Sequence, residues 1–120
     1  MDEINSKQDL INYFEKGCKK ENQLSVGVEH EKFIFNNLTN QRVNFETVSK
    51  IFNFLEQFGW KPIKEKDYVI GLLREGQSIT LEPGNQIELS GAKLNSIHLN
   101  CSESYKYLDE LRKACKKLNL

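Results

Sequence analysis

Glutamates whose spacing could bring their carboxylates together occur in two separate parts of this 120-residue chain. Glu29 and Glu31 lie two positions apart, and Glu82 and Glu88 lie on either side of the segment 83–85. Alternate residues of a β-strand project from the same face, so the first two carboxylates would point the same way if their segment is extended. Carboxylate and water oxygens are the ligands that Mg²⁺ prefers. Several uncompensated carboxylates on one face of a sheet would therefore suit a hard divalent cation.

The second pair of glutamates belongs to a predicted β-hairpin, 78–90, whose loop length follows from the residue pattern. A two-residue loop would set polar residues opposite apolar ones, whereas a three-residue loop of Pro83, Gly84 and Asn85 pairs like with like. Pro83 would supply the fixed φ of a type I turn, and Asn85 tolerates the left-handed conformation that follows it. With this loop, one face of the hairpin carries polar and acidic side chains and no cation: Ser78, Thr80, Glu82, Gln86, Glu88 and Ser90.

The ordinary explanation of such a face is contact with water, because antiparallel sheets are often solvated on one side. Two features argue against a purely solvated face. Such faces usually alternate lysine with glutamate to relieve repulsion, and this hairpin face has no lysine. Gly27, two residues before Glu29, also removes bulk where a ligand could approach. A plain scaffold with a solvated sheet face stays open as an alternative to a ligand site.

Other residues capable of chemistry give weaker indications. His30 would project away from its two glutamate neighbours, so we expect a hydrogen-bonded core histidine rather than a Glu-His-Glu zinc cluster. His98 and Cys101 are one helical turn apart but offer only two zinc ligands. Arg74 ends a predicted strand near the acidic face, where it could bind a phosphate or a carboxylate of a substrate or nucleotide. An ion pair of Arg74 with Glu75 or Glu82 is the alternative.

The elements that must position these residues follow from hydrophobic periodicity. Helices are predicted from Ser6 to Gly17, where Ser6 and Asp9 resemble a capping box, over 45–58 before Gly59, and near the C-terminus. The apolar face of the C-terminal helix is predicted to be Ile97, Cys101, Tyr105, Leu108, Leu111, Cys115 and Leu118. Strands are predicted over 24–35, 69–74, 78–82 and 86–90, with a tight turn at 75–76. The predicted fold class is α+β: an antiparallel sheet with helices packed on its apolar face.

Composition argues against several classes of function. Seventeen Lys and Arg balance seventeen Asp and Glu, so no nucleic-acid-binding surface is indicated. No apolar run approaches the roughly 18 residues of a membrane span, and the acidic start 1–3 precedes no hydrophobic stretch, so neither membrane insertion nor export is expected. Cys101 and Cys115 would lie about 21 Å apart on one helix, too far for a disulfide. Reduced thiols and a cytoplasmic location are therefore expected.

Two long motifs carry a resemblance to a known family. The segments 26–33 (VGVEHEKF) and 78–91 (SITLEPGNQIELSG) resemble the glutamate–cysteine ligases of the plant and proteobacterial type. The resemblance runs from about Ser25 to the C-terminus, and two motifs in the same order make it specific. Departures are small: Asn85 stands where the family usually has a second glycine, and Val28 replaces a common threonine.

The resemblance implies an enzyme that joins L-glutamate to L-cysteine with ATP. The product would be γ-glutamylcysteine, formed through a γ-glutamyl phosphate in the first step of glutathione synthesis. The resemblance also implies a catalytic fold related to glutamine synthetase. By the same resemblance, Glu29, Glu31 and Glu88 would bind Mg²⁺ ions that bridge the ATP phosphates, and Glu82 and Gln86 would line the same site.

Members of that family are several times longer than this chain. Residues 1–120 are therefore expected to form a single N-terminal portion of the ligase catalytic domain, unstable or inactive by itself. Two alternatives to the ligase stay open: another carboxylate–amine ligase of the same superfamily, and a truncated, non-catalytic module that binds metal or nucleotide. The expected partners are small molecules, namely glutamate, cysteine and ATP. The sequence predicts no oligomeric state.

Overall fold

A five-stranded antiparallel sheet is the centre of the computed structural model, which describes residues 3–120. Met1 and Asp2, part of the acidic start, lie outside the described residues. The strands are β1 (Glu29–Lys32), β2 (Lys61–Glu65), β3 (Tyr68–Arg74), β4 (Gln77–Glu82) and β5 (Gln86–Ser90). Their order in the sheet is β1-β5-β4-β3-β2, so β5 lies between β1 and β4.

The helices begin where side chains cap their first turns. They are α1 (Lys7–Gly17), α2 (Phe45–Leu55) and α3 (Ile97–Leu118), with short 3₁₀ turns at Glu21–Gln23 and Glu56–Phe58. The Ser6 side chain accepts a hydrogen bond from the Asp9 amide, as the predicted capping box requires. Asn44 and Ser96 cap the other two helices in the same way. The end of the second helical segment at Gly59 is also confirmed, since its φ is +88°.

One face of the sheet carries the hydrophobic core. Helices α2 and α3 pack there, which confirms the predicted α+β arrangement. The fully buried side chains at this interface come from both layers: Val48, Ile51, Phe52, Leu55, Leu72, Ile79, Ile87, Leu89, Tyr107 and Ala114. Helix α1 buries none of its residues. The described helices therefore leave the opposite face of the sheet uncovered.

The predicted three-residue hairpin loop is confirmed by the strand register. Glu82 lies opposite Gln86, and Thr80 lies opposite Glu88. The turn type differs from the prediction, because Gly84 as well as Asn85 has a positive φ, +76° and +60°. A positive φ at the residue after Pro83 is the geometry of a type II turn, which glycine favours.

Two parts of the fold differ from the sequence prediction. Strand β2 was not predicted: it contains one central isoleucine and Pro62, and proline is tolerated there because β2 is an edge strand. The extended segment predicted over 24–35 forms a regular strand only at Glu29–Lys32, with isolated bridges at Val26 and Phe35.

The buried face of α3 is the other correction. In the first half of the helix, the predicted residues Ile97, Cys101 and Tyr105 are exposed. The residues that α3 buries are Asn100, Glu103, Tyr107, Glu110, Leu111 and Ala114. Over this first half the buried positions are offset by about one residue, or about 100°, from the prediction. In the second half the prediction holds, since Leu111 is buried and Leu108, Cys115 and Leu118 pack against the core. No helix within residues 3–120 has the length and hydrophobicity needed to cross a membrane.

Candidate functional site

The uncovered face of the sheet brings the two groups of glutamates together. Glu31 of β1 lies directly opposite Glu88 of β5, and Glu29 lies opposite Ser90. On the other side of β5, Glu88 lies opposite Thr80 of β4. Directly opposed residues share a face and have Cβ atoms roughly 5 Å apart. Carboxylates from two distant parts of the sequence are therefore neighbours, with no cation on this face of β1, β5 or β4.

Hydroxyl groups orient two of these carboxylates. Thr80 Oγ1 donates a hydrogen bond of 2.8 Å to Glu82 Oε1, and Ser90 Oγ donates one of 3.1 Å to Glu88 Oε1. In each pair the two residues are two positions apart on one strand, so both side chains lie on the same face. The carboxylates of Glu82 and Glu88 thus lie along their own strands and are half-buried, whereas Glu29 and Glu31 are exposed.

The donor chemistry of the face fits Mg²⁺, although its side chains do not converge. Within residues 3–120, no three His, Cys, Asp or Glu side chains are arranged to hold a metal ion as they stand. Glu88 is directed to Ser90 instead of to Glu31. The available ligands are all carboxylate oxygens, which suit a hard divalent cation. For Glu31 and Glu88 to bind one ion, the Glu88 side chain has to turn away from Ser90.

Cationic side chains lie beyond the ends of the acidic face. At the Glu29 end, a cleft of about 280 Å³ is lined by two lysines together with residues from the segment before β1, the start of β1, the end of β5 and the segment after it: Lys19, Ser25, Gly27, Val28, Glu29, Ser90, Gly91 and Lys93. At the turn end, the guanidinium of Arg42 stacks on Phe33. None of these three cations was among the predicted site residues, because each lies in a connecting segment outside the strand pattern.

The position predicted for Arg74 is wrong. Arg74 lies on the helix-covered face and is 8% exposed. Its Nη1 donates hydrogen bonds to Glu110 Oε1 at 2.8 Å and to the Phe58 carbonyl at 3.0 Å, and its guanidinium lies 4.1 Å from the Trp60 ring centroid. The guanidinium is therefore turned away from the acidic face, and its ion-pair partner is Glu110 rather than Glu75 or Glu82.

His30 lies on the helix side of the sheet, as predicted, opposite Leu89. Lys32 Nζ donates a hydrogen bond of 2.7 Å to His30 Nε2. Partial burial, and secondarily the charge of Lys32, lower the pKa of His30 below its usual value. His98 and Cys101, the weak zinc candidates, are both exposed on α3.

Comparison with known proteins identifies the family to which this acidic face belongs. The family model of glutamate–cysteine ligase family 2 (GCS2) matches residues 25–120, a span that contains every predicted site residue. This chain belongs to glutamate–cysteine ligase family 2. The resemblance stated from the two motifs is thereby confirmed.

Chloroplastic glutamate–cysteine ligases from several plants are similar to nearly the whole chain. The Medicago truncatula enzyme is 39% identical over 116 residues, which are 96% of this chain and 23% of the relative. The Arabidopsis thaliana enzyme is 36% identical over 116 residues, with 96% and 22% covered. Ligase A of Oryza sativa subsp. japonica is 42% identical over 113 residues, with 93% and 23% covered. The chain therefore spans about a quarter of the length of the curated relatives it matches.

The names of these relatives correct the predicted location. The glutamate–cysteine ligases from Medicago, Arabidopsis and rice are all named as chloroplastic proteins. The cytoplasmic location expected from the sequence is contradicted by these names. Reduced thiols had suggested that location, but a reducing environment does not distinguish the cytoplasm from other reducing compartments.

Proposed function

We propose that this chain contributes the acidic wall of an ATP-dependent glutamate–cysteine ligase. The observation that carries the proposal is the direct pairing of Glu31 with Glu88 on a sheet face that has no cation in β1, β4 or β5, in a chain of this family. The proposed reaction joins the γ-carboxyl of L-glutamate to the amine of L-cysteine and gives γ-glutamylcysteine. In the same proposal, the chain is an N-terminal portion of a catalytic fold related to glutamine synthetase. The proposed location is the chloroplast, as in the names of the relatives.

Charge explains why the proposed site needs a metal. ATP and glutamate are both anions, and a face with four carboxylates would repel them. In the proposal, Glu29, Glu31 and Glu88 hold Mg²⁺, which when bound supplies positive charge to the phosphate oxygens.

The remaining residues of the face would position the substrates. Glu82 and Gln86, opposed across the hairpin, line the site next to the proposed ligands. In the proposed sequence, a γ-carboxylate oxygen attacks the γ-phosphorus and ADP leaves. The cysteine amine then attacks the γ-glutamyl carbonyl carbon, phosphate leaves and the amine loses a proton. Holding the two reactants in line is the main contribution a protein makes to such a transfer. Arg74 is not part of the proposal because its guanidinium pairs with Glu110.

A hybrid enzyme tests this function. In the Medicago truncatula ligase, the part that this chain matches is replaced by this chain, and γ-glutamylcysteine is measured with ATP, Mg²⁺ and both amino acids. We expect the hybrid to form product. Glu31→Gln or Glu88→Gln should lower kcat roughly 100-fold or more, because a metal stabilises such a transition state by several kcal/mol. The 120-residue chain alone should form none.

The matched control is Glu65→Gln, the same substitution at an exposed position on the distant edge strand β2. It should leave kcat within about twofold, since surface substitutions away from a site have small effects. A folded hybrid that makes no product would contradict the proposal. So would variants of Glu31 and Glu88 that remain as active as the control.

A further inference from the structure

The guanidinium of Arg42 lies at the turn end of the acidic face. Phe33 follows Glu31 by two residues along the extended chain, so its ring projects to the same side as the glutamates. The Arg42 Cζ atom lies 5.0 Å from the centroid of that ring. Two residues of extended chain advance by about 6.6 Å, so the backbone of Phe33 lies about that far along the chain from that of Glu31.

Backbone pairing fixes the segment that carries Arg42. Arg42 and Phe35 form an antiparallel bridge, and the Val43 amide donates a hydrogen bond of 3.0 Å to the Ile34 carbonyl. The Val43 carbonyl accepts a hydrogen bond of 3.3 Å from the side-chain amide of Asn85. The segment is thereby attached both to the extension of β1 and to the turn between β4 and β5.

The hairpin turn leaves room for the guanidinium. A Cβ atom added to Gly84 would lie 3.4 Å from Arg42 Nη1 and 3.7 Å from the Phe33 ring. Gly84 lies in the loop that connects Glu82 to Gln86. The Arg42 head group therefore lies beside the hairpin loop, in a gap that a larger residue at position 84 would narrow.

The two arginines of the sheet region differ in their partners. Arg74 is bound to Glu110, whereas Arg42 forms neither an ion pair nor a side-chain hydrogen bond with any residue in the range 3–120. The nearby carboxylate of Glu82 accepts instead from Thr80. The guanidinium lies over the Phe33 ring, and within residues 3–120 no hydrogen bond occupies its N–H groups. A planar guanidinium with free edges matches carboxylate and phosphate groups in a bidentate manner.

We propose that Arg42 binds an anionic substrate group, a carboxylate or a phosphate, at the turn end of the acidic face. The inference rests on the proposed function, because it assigns Arg42 to the same site as the glutamates. Phe33 and Gly84 position the guanidinium: the ring by stacking and the glycine by its small size. The site then combines acidic residues for a metal with a separate cation for a substrate anion.

A binding experiment on the 120-residue chain tests the role of Arg42. The chain labelled with ¹⁵N is titrated with L-glutamate and, separately, with ATP plus Mg²⁺, while the Arg42 side-chain Nε–Hε and the Gly84 amide are followed by NMR. We expect both signals to shift with one of the ligands. Arg42→Gln should weaken that ligand about 10- to 100-fold, since hydrogen bonds to charged groups contribute about 1.5–3 kcal/mol. If Arg42→Gln weakens the binding of L-glutamate, the group bound by Arg42 is a carboxylate. If it weakens the binding of ATP, the group is a phosphate.

Two further variants make the result specific. Arg42→Lys keeps the charge without the planar fork, and its affinity should fall between those of the wild type and Arg42→Gln. Arg112→Gln, at an exposed arginine of α3, should leave both affinities unchanged. The proposal is overturned if neither ligand shifts the two signals, or if Arg42→Gln and Arg112→Gln have equal effects. Failure of the proposed function would appear separately, as Mn²⁺ binding that is insensitive to Glu31→Gln and Glu88→Gln.

Discussion

At the level of single residues, the buried pair of Arg74 and Glu110 differs in energetic meaning from the charges on the open face. Both side chains are about 6% exposed, and Glu110 Oε2 also accepts a hydrogen bond of 2.8 Å from Trp60 Nε1. A buried charge whose partner is removed retains its desolvation cost with no compensation. The pair therefore connects α3 to the end of β3, and each charge depends on the other.

Removing the charge of Glu110 should destabilise the fold strongly. Glu110→Gln leaves the Arg74 guanidinium buried without an anion, and we expect the free energy of unfolding to fall by about 3–5 kcal/mol. The adjacent residue provides the control, because Asp109 forms an exposed pair of 2.7 Å with Lys113. Asp109→Asn should cost less than about 1 kcal/mol. Urea denaturation followed by circular dichroism measures both, and equal losses would contradict this account of the buried pair.

Sequence reasoning placed the glutamates correctly and misplaced Arg74, for reasons that differ. The alternation around Pro83 to Asn85 is long enough to define the hairpin register, and that register sets Glu88 on the acidic face. The face of the sheet on which Arg74 lies could have been predicted in the same way. A two-residue turn at 75–76 sets Arg74 opposite Gln77 and on the same face as the buried Leu72. Its partner was not predictable, because Glu110 is 36 residues away on α3.

Among the elements, the β4–β5 hairpin contributes most to the site. It supplies Glu82 and Glu88 and one side of the gap around Arg42. Its turn requires two successive residues with positive φ, and the second is Asn85. Asparagine adopts this conformation more readily than other residues with a Cβ atom, whereas a β-branched residue is strained there.

Substitutions at Asn85 should therefore separate backbone strain from side-chain bonding. Asn85→Gly keeps the backbone relaxed and loses only the hydrogen bond to Val43, so its cost should stay within about 1 kcal/mol. Asn85→Val loses the same bond and adds strain, so it should be less stable than the glycine variant by about 1–3 kcal/mol. Thermal and urea unfolding of both variants test this. A valine variant as stable as the glycine variant would show that residue 85 does not require a positive φ.

The elements also show what local patterns cannot predict. Helix α2 and the hairpin have strong periodicity and appear where the sequence predicts them. The buried face of helix α3 was predicted correctly only in part, because polar residues on its inner side have partners elsewhere: Glu103 accepts from the Ala92 amide and Glu110 binds Arg74. Polar residues predict the exposed side of a helix only when they have no such partners elsewhere in the fold. Strand β2 was missed because pairing with β3, rather than its own sequence, makes it extended.

In the whole molecule, the residues that stabilise the fold and the residues of the candidate site lie on opposite faces of the sheet. Helices α2 and α3 cover one face of the sheet and form the core, while the opposite face exposes Glu29, Glu31 and the hairpin carboxylates. Half-buried carboxylates with no cation between them repel one another in the absence of a ligand. A bound divalent cation would reverse that repulsion, which is why metal affinity reports most directly on the arrangement.

Titration of the 120-residue chain with Mn²⁺, followed by electron paramagnetic resonance of the free ion, tests whether Glu31 and Glu88 hold one cation between them. We predict one saturable site, weakened at least tenfold by Glu31→Gln or by Glu88→Gln and unchanged by Glu65→Gln. The double variant should bind little worse than either single variant, because residues that share one ligand are not additive. Equal Mn²⁺ binding by the wild type, both single variants and the double variant would contradict the claim that these two strands form a metal site.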